Sequence, residues 1–122
     1  FIIRTASEKD LKEKADILFT NQKIDGVFAL DENDSVAALR ISLKKGYKVP
    51  EDLSIIGFAD GILASRRLSP SLTTVSQHGP EIGAAAAKLL IERLESKEKE
   101  CPYKTTVIKT ELRLRESTRI LK

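Results

Sequence analysis

Four carboxylates in this chain stand just beyond short apolar stretches. Asp31, Glu32 and Asp34 follow residues 24–30, and Asp60 follows residues 53–58. Gln77 ends a third stretch, and Thr5 closes an opening one. An ionised carboxylate only accepts hydrogen bonds, whereas an amide both donates and accepts. Such a set suits a neutral, hydroxyl-rich ligand, each oxygen taking one or two hydroxyl donors; a cation would also fit. A phosphate does not suit it, because each acid would repel it by roughly a few kcal/mol at close range in a partly buried site. The glycine-rich phosphate fingerprint G-x-G-x-x-G is also absent. A plainer role competes: Asp31 and Asp34 could only cap a helix, and Asp60 could only make a turn. Spacing alone leaves both readings open.

The elements that would position these groups alternate. Phe1 to Thr5 reads as a strand already under way. Ser7, with Asp10 three residues later, approximates a capping box and starts a helix with Leu11, Ala15 and Leu18 on one face. Asn21 ends that helix, and Ile24 to Leu30 is a short apolar strand. A second helix follows, with Val36, Leu39 and Leu43 on one face and Gly46 as its left-handed stop. Strand Leu53 to Phe58 comes next, then a short helix or irregular turn over Ile62 to Leu68, then strand Thr73 to Ser76. Pro80 fits the first turn of a helix to about Glu95, with Ile82, Ala86, Leu89 and Leu90 inward. Ile108, Thr110, Leu112 and Leu114 alternate with charged residues, as in a half-exposed edge strand. Strands alternating with helices imply βαβ units and an α/β fold. The expectation is a three-layer, doubly wound, mostly parallel sheet with an antiparallel or edge strand at the carboxyl end. Ligands in such sheets lie beyond the carboxyl ends of the strands, which selects Thr5, Asp31 with Glu32, Ala59 with Asp60, and Gln77.

Bulk composition narrows the class. A chain of 122 residues predicts one domain with a core of its own. Lysine and arginine exceed aspartate and glutamate by 21 to 18, a net charge of +3. The excess lies near the carboxyl end, and with no tryptophan and two tyrosines there are few platforms for stacking bases. The chain by itself is a poor nucleic-acid binder. No run approaches the ~18 apolar residues of a membrane span. The single cysteine, Cys101, excludes an internal disulfide and is expected to be an inert exposed thiol in a reducing, cytoplasmic compartment. The single histidine, His78, has no nucleophile motif beside it, so neither catalysis, a metal nor a cofactor is expected. A phosphorylatable receiver domain has a similar size, but its acidic pair should follow the first strand. Here that strand ends in Arg4 and Thr5, and no lysine closes the Thr73 strand. With no initiator methionine or signal peptide, the chain reads as a piece of a longer protein cut at a domain edge.

Six short motifs in order then resemble the LacI/GalR family of bacterial transcription regulators. They are Asp25-Gly26-Val27-Phe28-Ala29, Gly46-Tyr47-Lys48-Val49-Pro50-Glu51-Asp52, Ile56-Gly57-Phe58-Ala59-Asp60, Ser69-Pro70-Ser71-Leu72-Thr73-Thr74-Val75, Ile82-Gly83, and Glu111-Leu112 through Arg115-Glu116-Ser117-Thr118. The match spans residues 24 to 118.

The resemblance implies the carboxyl-terminal half of a periplasmic-binding-protein-like core that binds a small effector and forms a homodimer. Operator DNA would be met only through an amino-terminal domain outside this chain. It further implies that Asp31, Glu32 and Gln77 face the effector, with Thr5 where the family has a stacking aromatic. It leaves open whether Asp60 takes the family's aspartate role on a shifted backbone or the effector is held differently. Val36 and Leu68 would contribute to the dimer interface, although both also read as ordinary core residues. Ala59 departs from the pattern, since the family has an effector-binding aspartate there and alanine cannot accept a hydrogen bond. A transport-associated sugar-binding protein of the same fold is the alternative reading.

Overall fold

A computed structural model describes residues 2–4, 6–61, 68–96 and 102–120. Thr5, Cys101 and most of the expected turn at Ile62 to Leu68 lie outside them. The elements run α1 (Glu8–Asn21), β1 (Gly26–Ala29), α2 (Glu32–Lys44), β2 (Ser54–Phe58), β3 (Thr73–Ser76), α3 (Gly79–Glu95) and β4 (Glu111–Arg113). They form a four-stranded sheet in the order β1-β2-β3-β4. The first two pairings are parallel, and β3 with β4 is antiparallel. The mixed α/β class, the mostly parallel sheet and the edge position of the last strand are as the sequence predicts.

The core lies between the sheet and the helical pair α1 and α2. Ala15 and Phe19 of α1 meet Leu39 of α2, Leu53 and Ile55 of β2, and Val49 and Leu72 from the connections. Phe19 packs edge-on against Tyr47 with ring centroids 5.3 Å apart. The buried stripe of α2 is Ser35, Ala38, Leu39 and Ser42, while Leu43, predicted inward, is exposed. Each serine hydroxyl donates back along the helix, Ser35 to the Asp31 carbonyl at 2.5 Å and Ser42 to the Ala38 carbonyl at 2.7 Å. A hydroxyl so satisfied can be buried without a desolvation penalty. The small side chains also let the helix approach the sheet closely. A Cβ built on Gly57 would lie 2.5 Å from Ser35 Oγ.

Two expected elements differ. Residues 2–4 are not a strand. The Arg4 carbonyl accepts from Lys14 Nζ at 2.8 Å and the Ala6 amide donates to Asp10 at 3.0 Å, so the start of α1 uses the backbone groups a strand would need. Helix α3 forms as predicted but has no buried residue. Ile82 and Leu90, expected inward, are 46% and 58% exposed, because nothing among the described residues packs over them. The second helical layer expected on the sheet is therefore not supplied by α3. No helix among the described residues is long and apolar enough to cross a membrane.

Candidate functional site

Parallel register brings the strand ends level. Ala29 of β1 lies opposite Gly57 of β2, and Phe58 of β2 opposite Val75 of β3. Asp31, the segment from Ala59 to Gly61, and Gln77 thus emerge along one edge of the sheet.

Most of the acids at that edge are already engaged. Asp31 is the N-cap of α2, its side chain accepting from the Asp34 amide at 2.8 Å. Its side chain is exposed, which leaves its second oxygen open to solvent. Burial, then the nearby charge of Asp31, pushes the Asp34 carboxyl above its ordinary range. The Glu32 carboxylate lies directly over the Cα of Gly61, where any larger side chain would collide with it. That contact ties the start of α2 to the loop beyond β2.

Asp60 is the most enclosed of the set, its side chain only 6% exposed. One oxygen accepts from Thr74 Oγ1 at 2.8 Å and from an Arg115 guanidinium nitrogen at 2.6 Å. The other accepts from Arg113 at 2.5 Å. Arg115 also donates to the Leu72 carbonyl at 2.6 Å and to Thr74 Oγ1 at 2.9 Å. Burial alone would raise the Asp60 carboxyl. The hydrogen bonds and charge of Arg115, with Thr74 and Arg113, outweigh it and hold the group below the ordinary carboxylate range.

Among the described residues, only two non-glycine residues have a positive φ, Ala59 at 84° and His78 at 55°, and both follow strands at this edge. The Ala59 amide donates to the Val75 carbonyl at 3.1 Å. Left-handed backbone costs a residue with a Cβ about 1–2 kcal/mol, so two instances at one edge mark it as a constrained region. The His78 ring lies 3.1 Å from Glu81 and 3.8 Å from Glu111, on opposite sides of its own turn.

The periplasmic binding protein-like domain model matches residues 3–118, nearly the whole chain. The chain belongs to that family. Within it, the periplasmic binding protein-like chain is 39% identical over 105 residues to the ribose operon repressor of Halalkalibacterium halodurans, covering 84% of this chain and 30% of the repressor. It is 45% identical over 74 residues to the HTH-type transcriptional repressor PurR of Pasteurella multocida, covering 61% of this chain and 22% of that one. Its backbone superposes on a LacI family transcriptional regulator from Enterococcus faecium with bound ribose. The TM-score is 0.82 at 30% identity, over 97% of this chain and 42% of the regulator. The LacI/GalR resemblance read from the six motifs is borne out by these relatives. The chain spans less than a third of the length of the curated relatives named here.

The periplasmic binding protein-like architecture brings Asp31, Glu32, Ala59, Asp60 and Gln77 to one sheet edge. It does not present them alike. Gln77 is half-buried, with an amide that no neighbour engages among the described residues. A groove of about 860 Å³ runs between α1 and α2 and is lined by Asp31, Asn33 and Asp34 at one end and by Arg40, Lys44 and Lys45 at the other. Ala59, Asp60 and Gln77 do not line it. Val36 and Leu68 both pack, partly buried, against the core. Sequence reasoning missed Arg113 and Arg115. Their spacing of two in an alternating, extended stretch was a usable signal, since it places both residues on one face.

Proposed function

We propose that this chain is the effector-sensing and dimer-forming part of a LacI-type bacterial transcription regulator, acting in the cytoplasm and without enzymatic activity. The observation that carries this reading is the level convergence of three polar strand ends in a domain 39% identical to a ribose operon repressor. Asp31, through its second oxygen, Gln77, through its amide, and the backbone at Ala59 contact a neutral, hydroxyl-rich effector. Glu32 borders the same crevice. The Asp31 carboxylate, which no cation among the described residues pairs with, disfavours a phosphorylated ligand. Val36 and Leu68, at the margin of the core, extend into a homodimer surface. Operator DNA is contacted by a segment outside this chain. Effector binding stabilises one closure state of the whole protein and so biases how it presents to DNA. The relatives named above are repressors, which favours this reading over a transport protein.

The test is a thermal-shift screen of the full-length protein against ribose, other neutral sugars, sugar phosphates and purine bases, paired with operator-binding anisotropy. A ligand at a hundred times its Kd should add about 2.7 kcal/mol of stability. The same ligand should change operator affinity. Stabilisation only by phosphorylated compounds, or by none of the panel, would refute the proposal.

A further inference from the structure

We infer that Asp60 is a positioning residue that does not touch the effector: its carboxylate, gripped by Arg113, Arg115 and Thr74, locks the Ala59 turn in its left-handed conformation and fixes the backbone facing the crevice. This rests on the reading of that edge as an effector site. The sequence places Asp60 among the ligand groups, and the structure gives three reasons for a different role. Its side chain is 6% exposed, too little to offer a ligand an open approach. The oxygen shared by Thr74 and Arg115 has both lone pairs engaged, and the other oxygen already receives Arg113. The turn itself is held from both sides. The Ala59 amide is bonded to β3 through Val75, and the side chain of the next residue is bonded to Arg113 of β4 and to Arg115 just beyond it. Alanine does not choose this backbone unaided. The ion pairs supply the restraint that the residue type does not.

The same groups give the clamp a defined reach. Arg113 Nε lies 3.7 Å from Glu111, which lies 3.8 Å from His78 Nε2. The clamp therefore continues to the second left-handed turn of the edge. A ligand pressing on the Ala59 backbone would meet a turn braced against the β3–β4 pair.

The decisive measurement is a double-mutant cycle on stability, which needs no ligand. With the clamp intact, Ala59→Gly relieves the left-handed strain at the expense of some backbone entropy. It should raise the folding equilibrium constant about two- to fivefold. In an Asp60→Asn background the turn relaxes to ordinary φ, and the same substitution should lower the constant about two- to fivefold. Arg113→Ala, which cuts the more exposed arm of the clamp, provides a second background should Asp60→Asn fail to fold, and the gain should shrink there too. An equal gain from Ala59→Gly in every background would overturn the inference.

Ribose affinity of the full-length protein, by calorimetry, separates positioning from direct contact. Arg113→Ala should weaken binding about as much as Asp60→Asn, and the double variant no more than either. Weakening by Asp60→Asn alone, with Arg113→Ala unchanged, would show that Asp60 touches the sugar and would also overturn the inference. If neither ribose nor any other neutral sugar binds the wild type, the effector reading falls, while the stability cycle still decides the clamp.

Discussion

Replacing Ser117 with alanine removes one oxygen from the protein interior and leaves the backbone path intact. Ser117 is fully buried, and its hydroxyl bridges two strands. It donates to the Ile55 carbonyl of β2 at 2.6 Å and accepts from the Thr73 amide of β3 at 2.8 Å. Both of those residues are themselves fully buried. The main chain of Ser117 makes two further bonds, accepting from the Ile55 amide at 2.8 Å and donating to the Ser71 carbonyl at 3.0 Å. The substitution leaves those in place. It strands one buried carbonyl and one buried amide, each costing about 1–3 kcal/mol when water cannot reach it. Local relaxation recovers part of this, so a net loss of about 2–4 kcal/mol is expected, a large share of the roughly 5–15 kcal/mol typical of a domain. Urea denaturation measures it directly, and an unchanged m-value would assign the effect to the native state. Glu116→Ala is the control. Its carboxylate accepts from the Ser71 amide and hydroxyl at 2.8 and 2.9 Å, but at the exposed surface, so water replaces it at little loss. A Ser117→Ala loss below about 1 kcal/mol at constant m would refute the view that this hydroxyl joins the two strands.

Gly57→Ala should destabilise by about 1–3 kcal/mol through overpacking, because the new Cβ meets Ser35 Oγ at 2.5 Å and Ser35 Cβ at 3.0 Å. Ser35→Gly in the same chain should remove most of that loss, and strictly additive effects would count against close packing as the cause. Asp31→Ala should lose about 1 kcal/mol as a vacated N-cap, whereas Asp31→Ser should keep the stability; if Asp31 also holds the effector, only the serine variant will separate normal melting from weakened ribose binding. Acid denaturation carries a sign. Asp60 titrates lower in the folded protein than unfolded, so below pH about 4 the unfolded chain binds the extra proton. Its contribution is fully present above that pH and is lost as pH falls through the folded value. Asp34, raised by burial and by Asp31, acts in the opposite direction as it protonates. Urea titrations from pH 2 to 7 should therefore show a smaller acid loss in Asp60→Asn than in the wild type, and equal losses would contradict the ion-pair assignment.

The parts of the fold legible in the sequence were those that hydrophobic period and capping chemistry encode locally. Ser7 and Asp31 are N-caps at the starts of α1 and α2, as their side chains predict. The apolar runs at β1, β2 and β3 fell where strands form. Burial was harder to read where polar side chains satisfy themselves. Ser35 and Ser42 occupy the inner face of α2 because their hydroxyls bond back to the helix, so a hydrophobic pattern pointed to Leu43 instead. Helix α3 shows the reverse. Its apolar residues announce a buried face, yet burial depends on a neighbour, and a helix's own sequence cannot say which one. At the site, Asp60 was legible as a group at a strand end. Its commitment to Arg113 and Arg115 spans more than fifty residues of chain and arises only when β4 pairs with β3.

That commitment changes how the acidity of the edge should be understood. A list of strand-end acids suggests a negatively charged cup waiting for donors. In the folded chain, Glu32 is packed on Gly61, Asp60 is neutralised by two guanidinium groups, and Glu111 lies within 4 Å of both Arg113 and His78. Each of these acids joins one part of the edge to another. On the effector reading proposed above, recognition is left to the second oxygen of Asp31, the amide of Gln77 and the strained backbone at Ala59. Such a set discriminates by hydroxyl geometry more than by charge, because amides accept and donate with equal ease and a backbone group cannot swing to follow a misfitting ligand. A rigid edge of that kind would reject a sugar epimer by leaving one amide unpaired, a penalty of about 1–3 kcal/mol per lost partner. On that reading the buried ion pairs supply the rigidity, and the groups they leave free supply the choice.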